Sequence, residues 1–542
     1  MKPTIRKDVL RACLKAGFQI APDALDLVVR TDTPIEVINC ILGTYTPART
    51  SGVISREMVE RVLTGGCESS TEGPSQSKQT EKDHQRTDEG EQRDPNGVEP
   101  EAKPVHNIEI IKNPTREAIA TEGTVDDFHA LFMDRFERLK RIYGKRIDTQ
   151  GAMSLAAAKA FKREAYRLKT LSRNGERPRR PPSIRVVGMV KNRTISRSKN
   201  TIIELEDQES SLICVIPANR PGKEGQVLSE RGTHVLLDEV VCVVGTVDQD
   251  GRLIAEDVIF PDVPAARKVG RAKRDIYAVF VSDIHCGSRE FLEDEFDRFI
   301  DWLRGIDVDD EDKRMVSQIK YLFIAGDLCE GVGVYPGQEK DLLIASIHDQ
   351  YELLAGKLSR LPDRIKTICI PGNHDASRQA LPRPPIPEEF AEALYKLGDR
   401  ILLLGDPSQV IVEGVSVLLS HGDSQDDLVT QIPGASYKRP AFAMKELLRK
   451  RHLAPMYGGK TELAPTRRDW LVIDEMPDIV HFGHAHHNAV DNYRGVQIIN
   501  SGTFQAQTDF MRKQGVEPTP GIVTLVNLRT GAPTVRMFYE FG

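Results

Sequence analysis

Between Val281 and His487 a series of short apolar runs each stop at a glycine-bearing turn that carries Asp, Asn or His. VSDIHCGS delivers Asp283 and His285, IAGDLCEG delivers Asp327, and IPGNHDAS delivers Asn373, His374 and Asp375. LSHGDS adds His421, and FGHAHH adds His484 and His486. Runs of this length and composition read as strands, so one edge of a sheet collects oxygen and nitrogen donors from distant parts of the chain. A single His or Asp at a strand end usually caps a turn or packs in a core. The conjunction of so many points instead to a dinuclear metal site.

Two divalent ions about 3.5–4 Å apart clamp the attacking and leaving oxygens of phosphoryl transfer and lower the pKa of water towards neutrality. Asp283, His285, Asp327, Asn373, His421, His484 and His486 together supply the ligand number such a pair needs. Carboxylate, amide and imidazole donors suit Mn2+ first, then Fe2+ or Zn2+, with Mg2+ as a further candidate, and the lack of thiolates argues against a purely structural zinc. Cys286 and Cys329 adjoin ligand candidates and are read as packing residues.

The fold expected around this site is multidomain α+β, because 542 residues with 39% hydrophobic content exceed one ordinary domain. Residues 1–64 repeat apolar side chains at helical spacing (Val9, Cys13, Leu25, Val28, Ile38, Ile41) and predict a small helical N-terminal domain. Residues 65–110 are expected to be a disordered linker, since Glu68 to Gly97 holds no aliphatic or aromatic residue to offset chain entropy. Residues 111–180 read as a helical, basic segment. Between Lys159 and Lys199 there are 14 Lys or Arg against two acids, a density that suits phosphate contact as well as a plain solvated face. Residues 181–265 give short strands that predict a small barrel of the oligonucleotide-binding (OB) type, without the exposed aromatics that stack bases. Residues 266–542 alternate apolar runs such as YAVFVS, YLFIAG, TICIPG and VSVLLS with amphipathic segments such as EFDRFIDWLRG. That alternation predicts a layered α/β domain, mixed sheets with outer helices.

Composition narrows the function classes. There is no apolar run of about 18 residues, and the first residues lack the apolar stretch and cleavage site of a secretory signal, so a cytoplasmic protein with no membrane partner is expected. The eight cysteines are dispersed without a C-x-x-C pair, which argues against a cysteine zinc site or a stapled secreted scaffold. A net charge of −6 confines any nucleic-acid surface to a local patch, and no individual nucleic-acid-contacting residue stands out.

In this order, D-x-H, G-D, G-N-H-D, H-G and G-H-x-H resemble the calcineurin-like metallophosphoesterase superfamily. The resemblance implies that Asp327 bridges two metals, with Asp283, His285 and His486 completing one and Asn373, His421 and His484 the other. It gives His374 the task of protonating the leaving oxygen or stabilising phosphate charge, which suits an imidazole near neutral pH. Asp375 is expected to orient His374 by accepting its other ring proton. GDLCEGVG lacks the arginine of the protein phosphatases.

The longer stretches GDLCEGVGVYPGQE (Gly326 to Glu339), SHGDSQDDL (Ser420 to Leu428) and NSGTFQAQTDF (Asn500 to Phe510) resemble the small subunits of archaeal family-D DNA polymerases. The barrel, basic segment and tether upstream extend that resemblance over nearly the whole chain. It implies a proofreading 3′–5′ exonuclease that acts on single-stranded or mismatched primer 3′ ends and pairs with a large polymerising subunit. A sliding clamp or other replication factors are further candidate partners. Two alternatives stand beside it: a catalytically silent scaffold like the B-subunits of eukaryotic replicative polymerases, and a phosphodiesterase or phosphatase on small substrates.

Overall fold

The computed structural model describes residues 106–173 and 182–539, together with 18–31, 33–44, 53–65 and Val9, Ala12, Cys13 and Ala16. The chain divides into two compact units, Met1–Val105 and His106–Gly542. In the first, helices Pro22–Val29, Pro34–Thr44 and Arg56–Gly65 accompany a two-residue parallel pairing of Gln19–Ile20 with Val53–Ile54. Val9, Cys13, Phe18, Val28, Ile38 and Val59 close a small core there. The tether expected from Glu68 to Gly97 and the basic residues 174–181 lie outside the described residues.

The second unit is built on two six-stranded mixed sheets. In spatial order the first runs Ile401–Leu403, Lys366–Ile370, Ile319–Ala325, Tyr277–Val281, Ile522–Asn527 and Pro533–Met537. The second runs Ala489–Tyr493, Val496–Asn500, Ile479–Phe482, Val415–Leu419, Ser408–Val412 and Ile108–Lys112. Phe280, Phe323 and Ile370 of the first sheet pack against Val410, Val417 and Ile499 of the second. The opposite face of the first sheet packs on helices Glu293–Arg304 and Ile347–Ser359 through Phe296, Phe299, Tyr351 and Leu354. Helices Gln425–Gln431 and Pro440–Lys450 cover the second sheet through Leu428, Met444 and Leu447. Strands buried on both faces need no polar alternation, which is why YAVFV and YLFIA are continuous apolar runs.

Strand Ile108–Lys112 corrects the expected boundaries, since it falls across the stretch read as linker to 110 and as helical from 111. It pairs antiparallel with Ser408–Val412 and finishes the second sheet. Its five residues follow a long polar stretch, are exposed at Glu109, Ile110 and Ile111, and owe their shape to a partner some 300 residues away.

Strands Ile184–Ile195, Thr201–Glu206, Ser211–Ile216, Leu253–Ile259 and Val240–Val247 close a five-stranded barrel. Helix Gly222–Thr233 joins its third and fourth strands in chain order. Two clamps join the barrel to the sheets. Arg135, on helix Val125–Gly144, is fully buried; its Nε donates to Asp469 Oδ2 at 2.7 Å and its Nη1 to the carbonyls of Asp238 and Pro455. Lys450 Nζ donates to the His234 carbonyl at 2.7 Å and lies 2.9 Å from Glu239 Oε2. Buried charges of this kind are tolerable only when paired, so both clamps fix the barrel in one seat. Among the described residues no helix is long and apolar enough to cross a membrane.

Candidate metal centre

Each candidate ligand sits just past the C-terminal end of a strand. Asp283 and His285 follow Tyr277–Val281, Asp327 follows Ile319–Ala325, and Asn373, His374 and Asp375 follow Lys366–Ile370. His421 follows Val415–Leu419, and His484 and His486 follow Ile479–Phe482. The local backbone is unusual. Asp283, His285, Asp327, His484 and His486 have φ of 52°, 53°, 49°, 64° and 51°, the left-handed region that costs a non-glycine residue about 1–2 kcal/mol. Two glycines make room for the carboxylates: a Cβ on Gly372 would lie 2.2 Å from Asp327 Oδ1, and one on Gly483 would lie 2.4 Å from Asp283 Oδ2.

The turns bring all seven expected ligands together. One ligand atom from each of Asp283, His285, Asp327 and His486 falls within 4.8 Å of the others, and all four residues are buried. His285 Nε2 and His486 Nε2 are 3.1 Å apart, with Asp327 Oδ2 3.6 Å from the first and Asp283 Oδ1 3.3 Å from the second. Next to this group, His421 Nε2 lies 3.2 Å from Asp327 Oδ2 and 2.9 Å from Asn373 Oδ1, which is itself 3.2 Å from His484 Nδ1. Asp327 therefore touches both groups. The outward nitrogens are held: His285 Nδ1 donates to Glu330 Oε2 at 2.9 Å, His421 Nδ1 to the Ala325 carbonyl at 2.8 Å, and His484 Nε2 to Asp426 Oδ1 at 3.1 Å. Such outer partners fix the tautomer and turn the other nitrogen inward.

The donor set fits divalent cations. Two imidazole nitrogens converge at 3.1 Å beside two carboxylates, an arrangement that a shared cation would stabilise. Burial opposes charge throughout, yet opposite charges prevail at most positions. The charges of His421, His374 and His285 hold Asp327 well below the usual carboxylate range. Asp327 in turn lifts His421 well above an ordinary imidazole. At His285, burial is outweighed by the Glu330 hydrogen bond and charge, which raise its pKa to about 9. At His486 burial wins, lowering its pKa and favouring the neutral ring that a metal requires.

His374 stands at the rim, 4.8 Å from the ring of His285. Its Nδ1 donates to the backbone carbonyl of Glu330 at 2.8 Å. A carbonyl only accepts, so Nδ1 carries the hydrogen and Nε2 is the nitrogen available for proton exchange. The expected pairing of Asp375 with His374 is not formed. Asp375 turns beneath the loops, where its carboxylate accepts from the backbone N–H of Leu328, Cys329 and Gly372 at 3.1, 3.3 and 2.8 Å and from Tyr351 Oη at 3.0 Å. Burial and the charge of Asp327 push it up to about 6. Asp375 straps the Asp327 loop to the Asn373 loop and does not orient the His374 ring.

Sequence reasoning missed three residues. Glu330 holds His285 through its carboxylate and His374 through its carbonyl; the signal was an acid three residues beyond Asp327 in a turn between apolar runs. Asp426 holds His484. Arg383, 2% exposed, grips Asp423 with both terminal nitrogens at 2.8 Å and reaches Asp406, whose carboxylate accepts from the His421 N–H. Cys286 and Cys329 are neighbours in an isolated bridge and fully buried, and burial raises both thiols, Cys286 to about 12.

The family profile of the B-subunit of DNA polymerases alpha and epsilon matches residues 278–490, a span that contains all of these turns. Among curated relatives, the DNA polymerase II small subunit of Methanocaldococcus jannaschii is 42% identical over 75% of this chain and 64% of its own. That of Archaeoglobus fulgidus is 40% identical over 80% of this chain and 81% of its own. That of Halobacterium salinarum is 32% identical over 99% of both. With relatives 40% identical over four fifths of this chain and 32% identical over nearly all of it, the chain belongs to the family of DNA polymerase II small subunits.

Proposed function

We propose that the chain is the editing subunit of a family-D DNA polymerase, a 3′–5′ exonuclease that uses two divalent ions, Mn2+ first among them. The observation that carries this reading is the meeting at Asp327 of two donor groups, Asp283, His285 and His486 on one side and Asn373, His421 and His484 on the other. When bound there, divalent ions supply Lewis-acid activation of water and neutralise charge on a phosphodiester. The chain's own residues then do three things. Asp327 is suited to join the two ions. His374, with Nδ1 committed to the Glu330 carbonyl, offers Nε2 to protonate the departing 3′ oxygen. The strap through Asp375 keeps His374 and Asp327 in fixed register.

The large polymerising subunit is the proposed partner, since the relatives are small subunits by name. The barrel, read as OB-type, and the basic segment before it would hold that subunit or guide a single strand. A cytoplasmic setting follows from the same reading.

Degradation of a single-stranded or 3′-mismatched oligonucleotide by the full chain with Mn2+, abolished by Asp327→Ala and by His374→Ala, is the expected result. Absence of degradation by the purified two-subunit assembly would favour the silent scaffold. Efficient turnover of a free phosphomonoester, without dependence on DNA length, would favour a small-substrate enzyme.

A further inference from the structure

A cleft of about 880 Å³ opens beside the metal centre, lined by His374 and Asp375 but by none of the seven candidate ligands. It therefore lies on the His374 side of the site. Its other walls mix apolar and aromatic side chains, Ile386, Phe390 and Tyr395 among them, with charged ones such as Arg116, Arg378 and Glu388. Ligand pockets typically measure about 300–1,000 Å³ and combine apolar walls with a few polar groups, so the cleft has room for a whole nucleoside. Its aromatic walls are held in place: Phe390 stacks on His348 with ring centroids 6.0 Å apart, and Tyr395 Oη donates to the Ile386 carbonyl at 2.7 Å. No part of the hydrolytic machinery needs these side chains.

We propose that the cleft receives the nucleoside whose 3′ oxygen departs, the penultimate residue of the strand, with its base against Phe390 and Tyr395. This rests on the hydrolytic reading above and extends it to substrate choice. In an in-line displacement the leaving oxygen faces His374, so the sugar that carries it enters the cavity His374 lines. A base seated between protein side chains is not paired with a template. Cleavage accordingly requires two unpaired nucleotides at the 3′ end, and a frayed or mismatched end is selected over a paired one by the cost of unpairing.

Two measurements test this on the full chain. With Mn2+, kcat/KM is compared for a single-stranded oligonucleotide and for bis(p-nitrophenyl) phosphate, a diester with no nucleoside to seat. Phe390→Ala should lower the ratio about 10-fold, within the range attributed to stacking one base on an aromatic ring. Val332→Trp, at a lining position 51% exposed and outside the core, should lower it by obstruction. A ratio within about twofold of the parent in both variants overturns the proposal. In EDTA, where nothing turns over, an oligonucleotide with 5-iododeoxyuridine at the penultimate position should photo-crosslink to Phe390 or Tyr395. Crosslinking elsewhere, or only from the terminal position, also overturns it. A parent chain that hydrolyses neither substrate yet gives this crosslink sinks the hydrolytic reading and leaves the cleft assignment standing.

Discussion

Replacing Glu330 by Gln isolates one negative charge behind the metal centre. Glu330 Oε2 accepts from His285 Nδ1 and from Gln505 Nε2, both at 2.9 Å, and Oε1 lies 3.4 Å from Tyr335 Oη. A glutamine oxygen at the Oε2 position keeps both acceptor bonds, and its amide can donate to the tyrosine, so shape and hydrogen bonding survive while the charge is lost. Two effects follow. Removing an outer carboxylate behind a ligating histidine typically weakens metal affinity or activity about 10- to 100-fold. The metal-free chain also changes. Its His285 titrates near 9 against an ordinary 6.5, with the Glu330 hydrogen bond and charge the chief causes that outweigh burial. A raised histidine pKa gives stability that is fully present below pH 6.5 and lost as pH rises through 9. At pH 7 the whole shift corresponds to about 2–3 kcal/mol at most, most of which E330Q should forfeit. Urea unfolding of both chains in EDTA should show a clear gap at pH 7 that closes by about pH 9.5, while Mn2+ titration followed by thermal shift gives the affinity. A gap of equal size at both pH values, or unchanged Mn2+ affinity, would falsify the role given to Glu330.

The clamps away from the site make two further predictions. Arg135→Met leaves Asp469, the Asp238 carbonyl and the Pro455 carbonyl without their buried donor; unfolding free energy should drop by about 3–5 kcal/mol, and an unchanged urea midpoint would show that helix Val125–Gly144 does not hold the barrel in place. Glu446 is buried, yet contact with His234 and the charges of Lys450 and Arg449 outweigh burial and bring its pKa to about 2 from 4.5. That depressed carboxylate stabilises the fold above pH 4.5 and ceases to as pH falls through 2, a span of about 3 kcal/mol. Thermal melts of Glu446→Gln should be flatter than the parent's across that acid window, and parallel curves would contradict it.

What the sequence disclosed, it disclosed through patterns that need no knowledge of contacts. Apolar runs ending in glycine-bearing turns are local, and strands of a layered domain deliver their ends to one edge, so the meeting of the seven side chains was legible. Asp375 misled because neighbours in sequence are not neighbours in space: the turn that presents His374 tucks the next side chain under the loop at Leu328 and Cys329. Glu330 was opaque for the converse reason, since its value depends on a turn folding back on His285, 45 residues away. Arg135 carries a faint local signal: it falls four residues after buried Leu131 and next to buried Phe136, an inward-facing arginine that needs an acid from elsewhere. Its acid, Asp469, is 334 residues distant.

The left-handed backbone at Asp283, His285, Asp327, His484 and His486 bears on whether the site works or merely survives. At about 1–2 kcal/mol each, the five strained residues together cost roughly as much as the whole stability of many domains. The loops tolerate this because a ladder continues beyond the strand ends: Asp283 N–H donates to the Gly326 carbonyl, Ile284 and His285 to Asp327, Cys286 to Leu328, and Glu330 back to Cys286, all at 2.9–3.1 Å. Asp283 also accepts the His484 N–H with both carboxylate oxygens, so one candidate ligand anchors the turn that presents two others. Glycine at any of the five positions would relieve the strain without disturbing the ladder. A scaffold has a use for the two carboxylates, since Asp283 holds the His484 turn and Asp327 Oδ1 accepts the His374 N–H. The strain at the three histidines has no such structural return, and the cation binding proposed above is a task their donor atoms fit.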